Sequence, residues 1–258
     1  EAFLFERLPM FQRVGGAAYK KDLHNTIALL DSLGNPHQNR KFVHVAGTNG
    51  KGSTASFLAS ILKESGYRTG LYTSPHLINF TERMRIDGIP ISKEKVVDYV
   101  EKFKPIIEAL RPSFFELTTA MAFDYFAKEE VDIAVIEVGM GGRLDCTNVI
   151  QPEVSIITQI GLDHQQFLGN TLEEITKEKA GIIKKNTPII SSVEENELKL
   201  IIRDIANVRN ATFFDSHEYF EILIEKESLP HWKMKAENLQ KSDCLRFDLG
   251  LSSTYQIQ

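Results

Sequence analysis

Short apolar runs alternate with helix-periodic segments through roughly the first three quarters of the chain. Phe42–Ala46, Thr69–Thr73, Asp132–Val138, Val154–Thr158 and Pro188–Ser192 are short, largely apolar runs and predict buried strands. Between them, Ser53–Ser65, Lys93–Leu110 and Phe115–Glu129 repeat apolar residues at helical spacing, and in the first of these Phe57, Leu58, Ile61 and Leu62 share one face. Thr171-Leu-Glu-Glu174 reads as a capping box that starts a further helix, and Glu197–Asn207 is also helical. Near-continuous apolar strands separated by helices predict an α/β fold with a doubly wound, mostly parallel sheet covered on both faces. The pattern changes after about Glu195. Lys226–Asp243 is polar without a clear period and reads as an irregular excursion or a β-hairpin. Leu245–Leu249 and Thr254–Ile257 alternate weakly, which predicts a small antiparallel patch near the C-terminal end.

The first strand runs straight into Gly47-Thr-Asn-Gly-Lys-Gly-Ser53, and a helix follows. In that context a glycine-rich string becomes a phosphate cradle: successive backbone N–H groups curl around phosphate oxygens and the helix N-terminus adds its positive end. Lys51 supplies a cation for the outer phosphates, and Ser53 a hydroxyl near metal or phosphate. Position 45 is valine where the standard loop has its first glycine, and the hydroxyl comes two residues after the lysine. The competing reading is a glycine turn with a solvated lysine, but strand, loop, lysine, hydroxyl and helix occur here in order.

Two buried-charge positions stand out. Glu137 interrupts the apolar strand at its carboxyl end, where open α/β sheets bind ligands, and a carboxylate there is costly unless paired or metal-bound. Lys179 falls on the same helix face as Leu172, Ile175 and Ile182, while Lys177, Lys184 and Lys185 point elsewhere. A core-facing lysine loses hydration, which favours the neutral amine; the alternative is a stem that snorkels along the helix.

Composition narrows the partners. Hydrophobic residues make up 42% and charged residues 25%, and 30 basic against 35 acidic side chains give a net charge of −5. This argues against a general nucleic-acid binder. Cys146 and Cys244 belong to no CxxC pair and read as reduced thiols of a cytoplasmic protein. No apolar run reaches the roughly 20 residues of a membrane helix, so no membrane partner is expected.

Phe42-Val-His-Val-Ala-Gly-Thr-Asn-Gly-Lys-Gly-Ser53 resembles the nucleotide loop of folylpolyglutamate and dihydrofolate synthases, members of the Mur-ligase superfamily. Thr73-Ser-Pro-His-Leu77, Val135–Ile150 (with Gly139-Met-Gly-Gly-Arg-Leu-Asp145), Gly161-Leu-Asp-His164 and Glu178-Lys-Ala-Gly-Ile-Ile183 match the same family in the same order, covering roughly positions 10–195. The resemblance implies an ATP-dependent ligase that joins L-glutamate to dihydropteroate or a folate through an acyl phosphate. It implies ATP at Gly47, Thr48, Asn49, Gly50, Lys51, Gly52 and Ser53, and Mg²⁺ on Ser74, Glu137 and His164. Lys51, His164 and Lys179 are the implied catalytic groups, with a carbamate on Lys179 that helps order the metal site. Phe114, Phe115 and Glu116 on one side and Leu144, Asp145 and Cys146 on the other are implied to flank the pterin. For the phenylalanines ordinary core packing is the alternative. Asp145 is the better candidate, because a carboxylate in a Gly-Gly-Arg-Leu-Asp loop has little structural reason to be there, although Arg143 is a possible partner. The loop Thr73–Arg85 is expected over the site, with Arg83 and Arg85 facing anionic groups.

By the same resemblance, residues 1–258 are expected to be the central ATP-binding domain, cut short of the C-terminal domain that helps bind glutamate, inactive alone, and monomeric. Two other classes remain: a Mur-type ligase acting on a cell-wall nucleotide precursor, and a nucleotide-dependent switch without ligase chemistry. The Thr73–Leu77 and Gly139–Asp145 segments argue against the first, and a core-facing Lys179 against the second.

Overall fold

A computed structural model describes residues 8–9, 22–226 and 232–250. Eight strands form one sheet in the order β4-β3-β2-β5-β1-β6-β7-β8. They are β1 (Lys41–Ala46), β2 (Thr69–Tyr72), β3 (Met84–Ile86), β4 (Ile89–Pro90), β5 (Ile133–Glu137), β6 (Val154–Ile157), β7 (Ile189–Ser191) and β8 (Phe213–Asp215). The six from β2 to β8 in that order pair in parallel, and β3 and β4 add an antiparallel margin. The α/β expectation and all five strands read from the sequence are borne out.

The helices are α1 (His24–Ser32), α2 (Lys51–Glu64), α3 (Lys93–Leu110), α4 (Phe114–Lys128), α5 (Gln165–Leu168), α6 (Leu172–Ala180), α7 (Asn196–Val208) and α8 (Ser216–Tyr219). Strand β1 is buried on both faces, since Val43 and Val45 pack with Ala55 of α2 while Phe42 and Ala46 belong to clusters on the other face. This explains its unbroken apolar run. α4 and α6 each open on a full capping box, Ser113 with Glu116 and Thr171 with Glu174.

Two details differ from the sequence reading. The face of α2 that meets the sheet carries Ala55, Leu58, Ala59 and Leu62, whereas Ile61 is 61% and Phe57 37% exposed. Small alanines let the helix approach the strands closely, which rotates the two larger residues outward. The hairpin β3–β4 was not foreseen, although Asp87 and Gly88, both at positive φ, form its two-residue turn. The small antiparallel patch expected near the C-terminal end is borne out: β9 (Phe220–Lys226), β10 (Trp232–Asn238) and β11 (Cys244–Leu249) form a separate antiparallel sheet. Trp232 and Met234 are its buried anchors. The expected strand at Thr254–Ile257 lies outside the described residues.

The core predicts a contrast. Ile136→Ala, at a fully buried site in β5, should cost about 2–5 kcal/mol in chemical denaturation. Ile61→Ala should stay within about 0.5 kcal/mol.

Candidate active site

The carboxyl ends of β1, β5 and β6 stand side by side, with Val45 in register with both Glu137 and Ile156. The chain leaves β1 toward β2 on one side and continues from β6 on the other, so this crevice is the switch point of the sheet. The loop 47–50 is fixed here. Thr48 N–H donates to the Gln159 carbonyl at 2.7 Å, and the Thr48 hydroxyl donates to Gly161 O at 3.1 Å while accepting Gly161 N–H at 2.9 Å. The Thr158 hydroxyl donates to Asn49 O at 2.6 Å, and Asn49 donates to the Gln159 side chain at 3.0 Å. A Cβ at position 47 would meet the Thr158 hydroxyl at 2.0 Å, so only glycine fits. Gly50, at φ 81°, caps α2 in the left-handed region. The first intrahelical bond of α2 is Thr54 N–H to Gly50 O, which leaves the N–H groups of Lys51, Gly52 and Ser53 pointing out of the helix toward the loop. These are the donors that an anion requires.

The helix therefore starts at Lys51, two residues before the sequence reading placed it. Lys51 Nζ donates to Gly47 O and Thr48 O, both at 3.0 Å, and so is held within the loop. Lys179 reaches the same Gly47 carbonyl at 2.8 Å from α6 and is 3% exposed, which bears out its core-facing placement. Burial, with the nearby Lys51 charge second, lowers its pKa to about 8.

Glu137 is 4% exposed at the end of β5. Its Oε2 accepts the Ser74 N–H at 2.8 Å, which brings these two expected residues together. The start of α2 lies alongside: a Cβ on Gly52 would stand 3.5 Å from Oε1. Burial drives the carboxyl pKa up to about 7, against the opposing pull of the Ser74 N–H and the Lys51 charge. A buried carboxylate whose nearest ammonium is engaged with carbonyl oxygens fits a hard divalent cation. His164 lies on the loop after β6, at positive φ, with Nε2 3.5 Å from Asp163. Among the described residues, no group of three or more His, Cys, Asp or Glu side chains is arranged to hold a metal.

The two segments expected to flank a pterin have structural work of their own. Phe114 is buried against Phe80 and under the Arg83 guanidinium, 5.0 Å from its ring centre. Phe115 packs beside Tyr72 and so closely over Gly139 that a Cβ there would clash at 2.3 Å. Glu116 is buried and accepts the Ser113 N–H at 2.6 Å to cap α4. Asp145, expected to have little structural reason in its loop, has one. Its Oδ1 accepts the Thr147 N–H at 3.0 Å and the Thr147 hydroxyl at 2.5 Å, and Oδ2 accepts the Met140 N–H at 2.9 Å. It thereby fastens the loop from inside, and burial raises its pKa against those bonds. Arg143 pairs with Glu178 at 2.7 Å, not with Asp145. Leu144 and Cys146, half-buried, stand on either side of Asp145. Arg83 is 3% exposed, donates to His76 at 2.8 Å and contributes positive charge toward Glu137, while Arg85 bonds the Glu82 carbonyl.

Sequence reasoning missed the loop fastenings at Thr158 and Gln159 and the buried pair His44 and Thr147, joined at 2.9 Å. His44 was visible as a lone polar residue in an apolar strand. Thr158 carried no signal, since its role depends on β6 lying beside β1.

An α/β domain of the Mur-ligase type is what this end of the sheet describes. Residues 45–250 match the Mur ligase middle domain, and the chain belongs to that family. It is 46% identical over 209 residues to the dihydrofolate synthase/folylpolyglutamate synthase of Bacillus subtilis (strain 168), covering 78% of this chain and 48% of that protein. It superimposes on the apo form of L. casei FPGS with TM-score 0.88 at 33% identity, over 99% of this chain and 62% of that one. A structure described as an FPGS–AMPPCP–folate complex gives TM-score 0.85 at 36% identity over 92% of this chain and 59% of that one. The chain thus spans about half the length of the curated relatives it matches.

A pH test follows from Glu137. Its folded pKa is raised, so the folded state prefers the protonated form and loses stability as pH climbs from about 4.5 to about 7. In the absence of divalent cations, Glu137→Gln should therefore raise Tm above wild type at pH 8, by the equivalent of about 1–3 kcal/mol, and the gain should vanish near pH 4.5. An unchanged Tm difference across that range would contradict the assignment.

Proposed function

We propose that the protein carries out ATP-dependent ligation of L-glutamate to dihydropteroate or a folate. The observation that carries this reading is the meeting of the phosphate loop, the buried Glu137–Ser74 pair and Lys179 at one switch point, in a chain similar to enzymes named for this activity. The substrate carboxylate attacks the γ-phosphorus of ATP, giving an acyl phosphate and ADP. The glutamate amine then attacks the acyl carbon, and the tetrahedral adduct expels phosphate and leaves the amide. No protein nucleophile is required, and the chain contributes position and charge.

The N–H groups of Lys51, Gly52 and Ser53 bind the nucleotide phosphates, and the Lys51 ammonium turns from its two carbonyls onto the transferring group. Glu137, Ser74 and His164 would hold Mg²⁺, which offsets charge on the phosphate oxygens when bound. Lys179, lowered toward neutrality by burial, is the amine we assign to the carbamate. Phe115 and the loop 139–148 border the flat substrate. We place glutamate binding in the part of the relatives that this chain does not span, and the protein in the cytoplasm as a monomer. Among the described residues, no helix is long and apolar enough to cross a membrane.

The test is a product-mass assay on the full-length parent protein with ATP, Mg²⁺ and L-glutamate, supplied with 7,8-dihydropteroate in one reaction and a reduced folate in another. A gain of one glutamyl unit in either supports the reading, and which substrate gains it sets the specificity. ATP hydrolysis with no gain in either sinks it and points to cell-wall precursors. In the active enzyme, Lys51→Met should lower kcat/KM on the order of 10²-fold or more.

A further inference from the structure

His44 sits in the middle of β1, between Ile136 of β5 and Ser155 of β6, and is wholly buried. Burial lowers its pKa to about 3, so the ring is neutral. Its Nε2 lies 2.9 Å from the Thr147 hydroxyl, and that hydroxyl lies 2.5 Å from Asp145 Oδ1. Asp145 accepts two backbone N–H bonds besides, so although burial raises its pKa it stands here as the acceptor of the Thr147 hydroxyl. The Thr147 hydroxyl has one proton and gives it to Asp145. Its oxygen must then accept from His44, which fixes the ring as the Nε2–H tautomer. Nδ1 is left a bare acceptor, and it has no hydrogen-bond partner among the described residues. An imidazole with one unsatisfied nitrogen is a poor core residue, since any aliphatic side chain would serve the sheet better. What Nε2 does is therefore the reason to look for.

We propose that His44 is a positioning residue: through the relay His44–Thr147–Asp145 it sets the loop 139–148 and, with it, the substrate-facing Leu144 and Cys146. The relay begins three residues before Gly47, in the strand that carries the phosphate loop, and ends on the carboxylate that fastens the second loop. It ties the two halves of the site to one strand without touching the nucleotide. This inference rests on the proposed substrate class, so the experiment must separate the two.

Binding of 7,8-dihydropteroate and of AMPPCP with Mg²⁺ would be measured by calorimetry on the full-length parent protein and its variants. Wild type should bind both; binding of AMPPCP alone would sink the proposed function and this inference with it. Given binding of both, Thr147→Val should weaken dihydropteroate about five- to tenfold, the worth of one ordinary hydrogen bond, with AMPPCP changed by less than about twofold. Thr147→Ser should recover most of the loss. If Thr147→Val does not fold, the pair His44→Gln and His44→Leu decides: Gln keeps a donor where Nε2 stands and should retain pterin affinity that Leu loses. Equal binding of both ligands in the variants, or a parallel loss of both, would overturn the relay and leave the proposed function standing. So would a proton on Nδ1 rather than Nε2 in the ¹H–¹⁵N spectrum of wild type.

Discussion

One carbonyl group organises the site. The oxygen of Gly47 takes hydrogen bonds from Lys51 at 3.0 Å and Lys179 at 2.8 Å, one from the loop's own helix and one from α6 across the crevice. Two ammonium groups on one backbone oxygen repel each other, and one of them is buried. The arrangement holds only because the loop is fastened from the other side by Thr158, Gln159 and Gly161. An anion in the loop relieves the repulsion directly. The same geometry that makes the resting site electrostatically uneasy suits it to phosphate.

Around that point the charges are graded by burial. Glu137 is driven up toward neutral pH and Lys179 down toward it, so both sit near the range where small changes in occupancy alter their protonation. Helix α6 couples these groups to the second loop. Arg143 pairs with Glu178, the Arg143 N–H bonds the Glu178 carbonyl at 2.8 Å, and Lys179, the next residue of the helix, reaches the Gly47 carbonyl. One helix end thus braces the phosphate loop and the loop after β5 together.

Much of this was legible in the sequence because burial leaves a pattern. The five central strands, the capping box at Thr171 and the inward face of Lys179 follow from periodicity alone. The phosphate loop followed from its place between strand and helix. Pairing between distant segments was not legible. Thr158 reads as an ordinary strand end until β6 lies beside β1, and Asp145 reads as a spare carboxylate until Thr147 and Met140 are seen to donate to it. On α2, counting apolar positions favoured Phe57 and Ile61, and close packing favoured the alanines. Asp87-Gly88 was a readable hairpin turn, hidden by the brevity of its two strands. The sheet β9–β11 was legible as an antiparallel patch but not in its extent, since β9 was not read as a strand.

The central claim is that the loop from Gly47 to Ser53 receives nucleotide phosphate and that Lys51 is its cation. Calorimetric titration of the protein with AMPPCP and Mg²⁺, wild type against Lys51→Met, tests it most directly. A single saturable site weakened about tenfold or more by the substitution is the predicted result. Undiminished binding in Lys51→Met would contradict it.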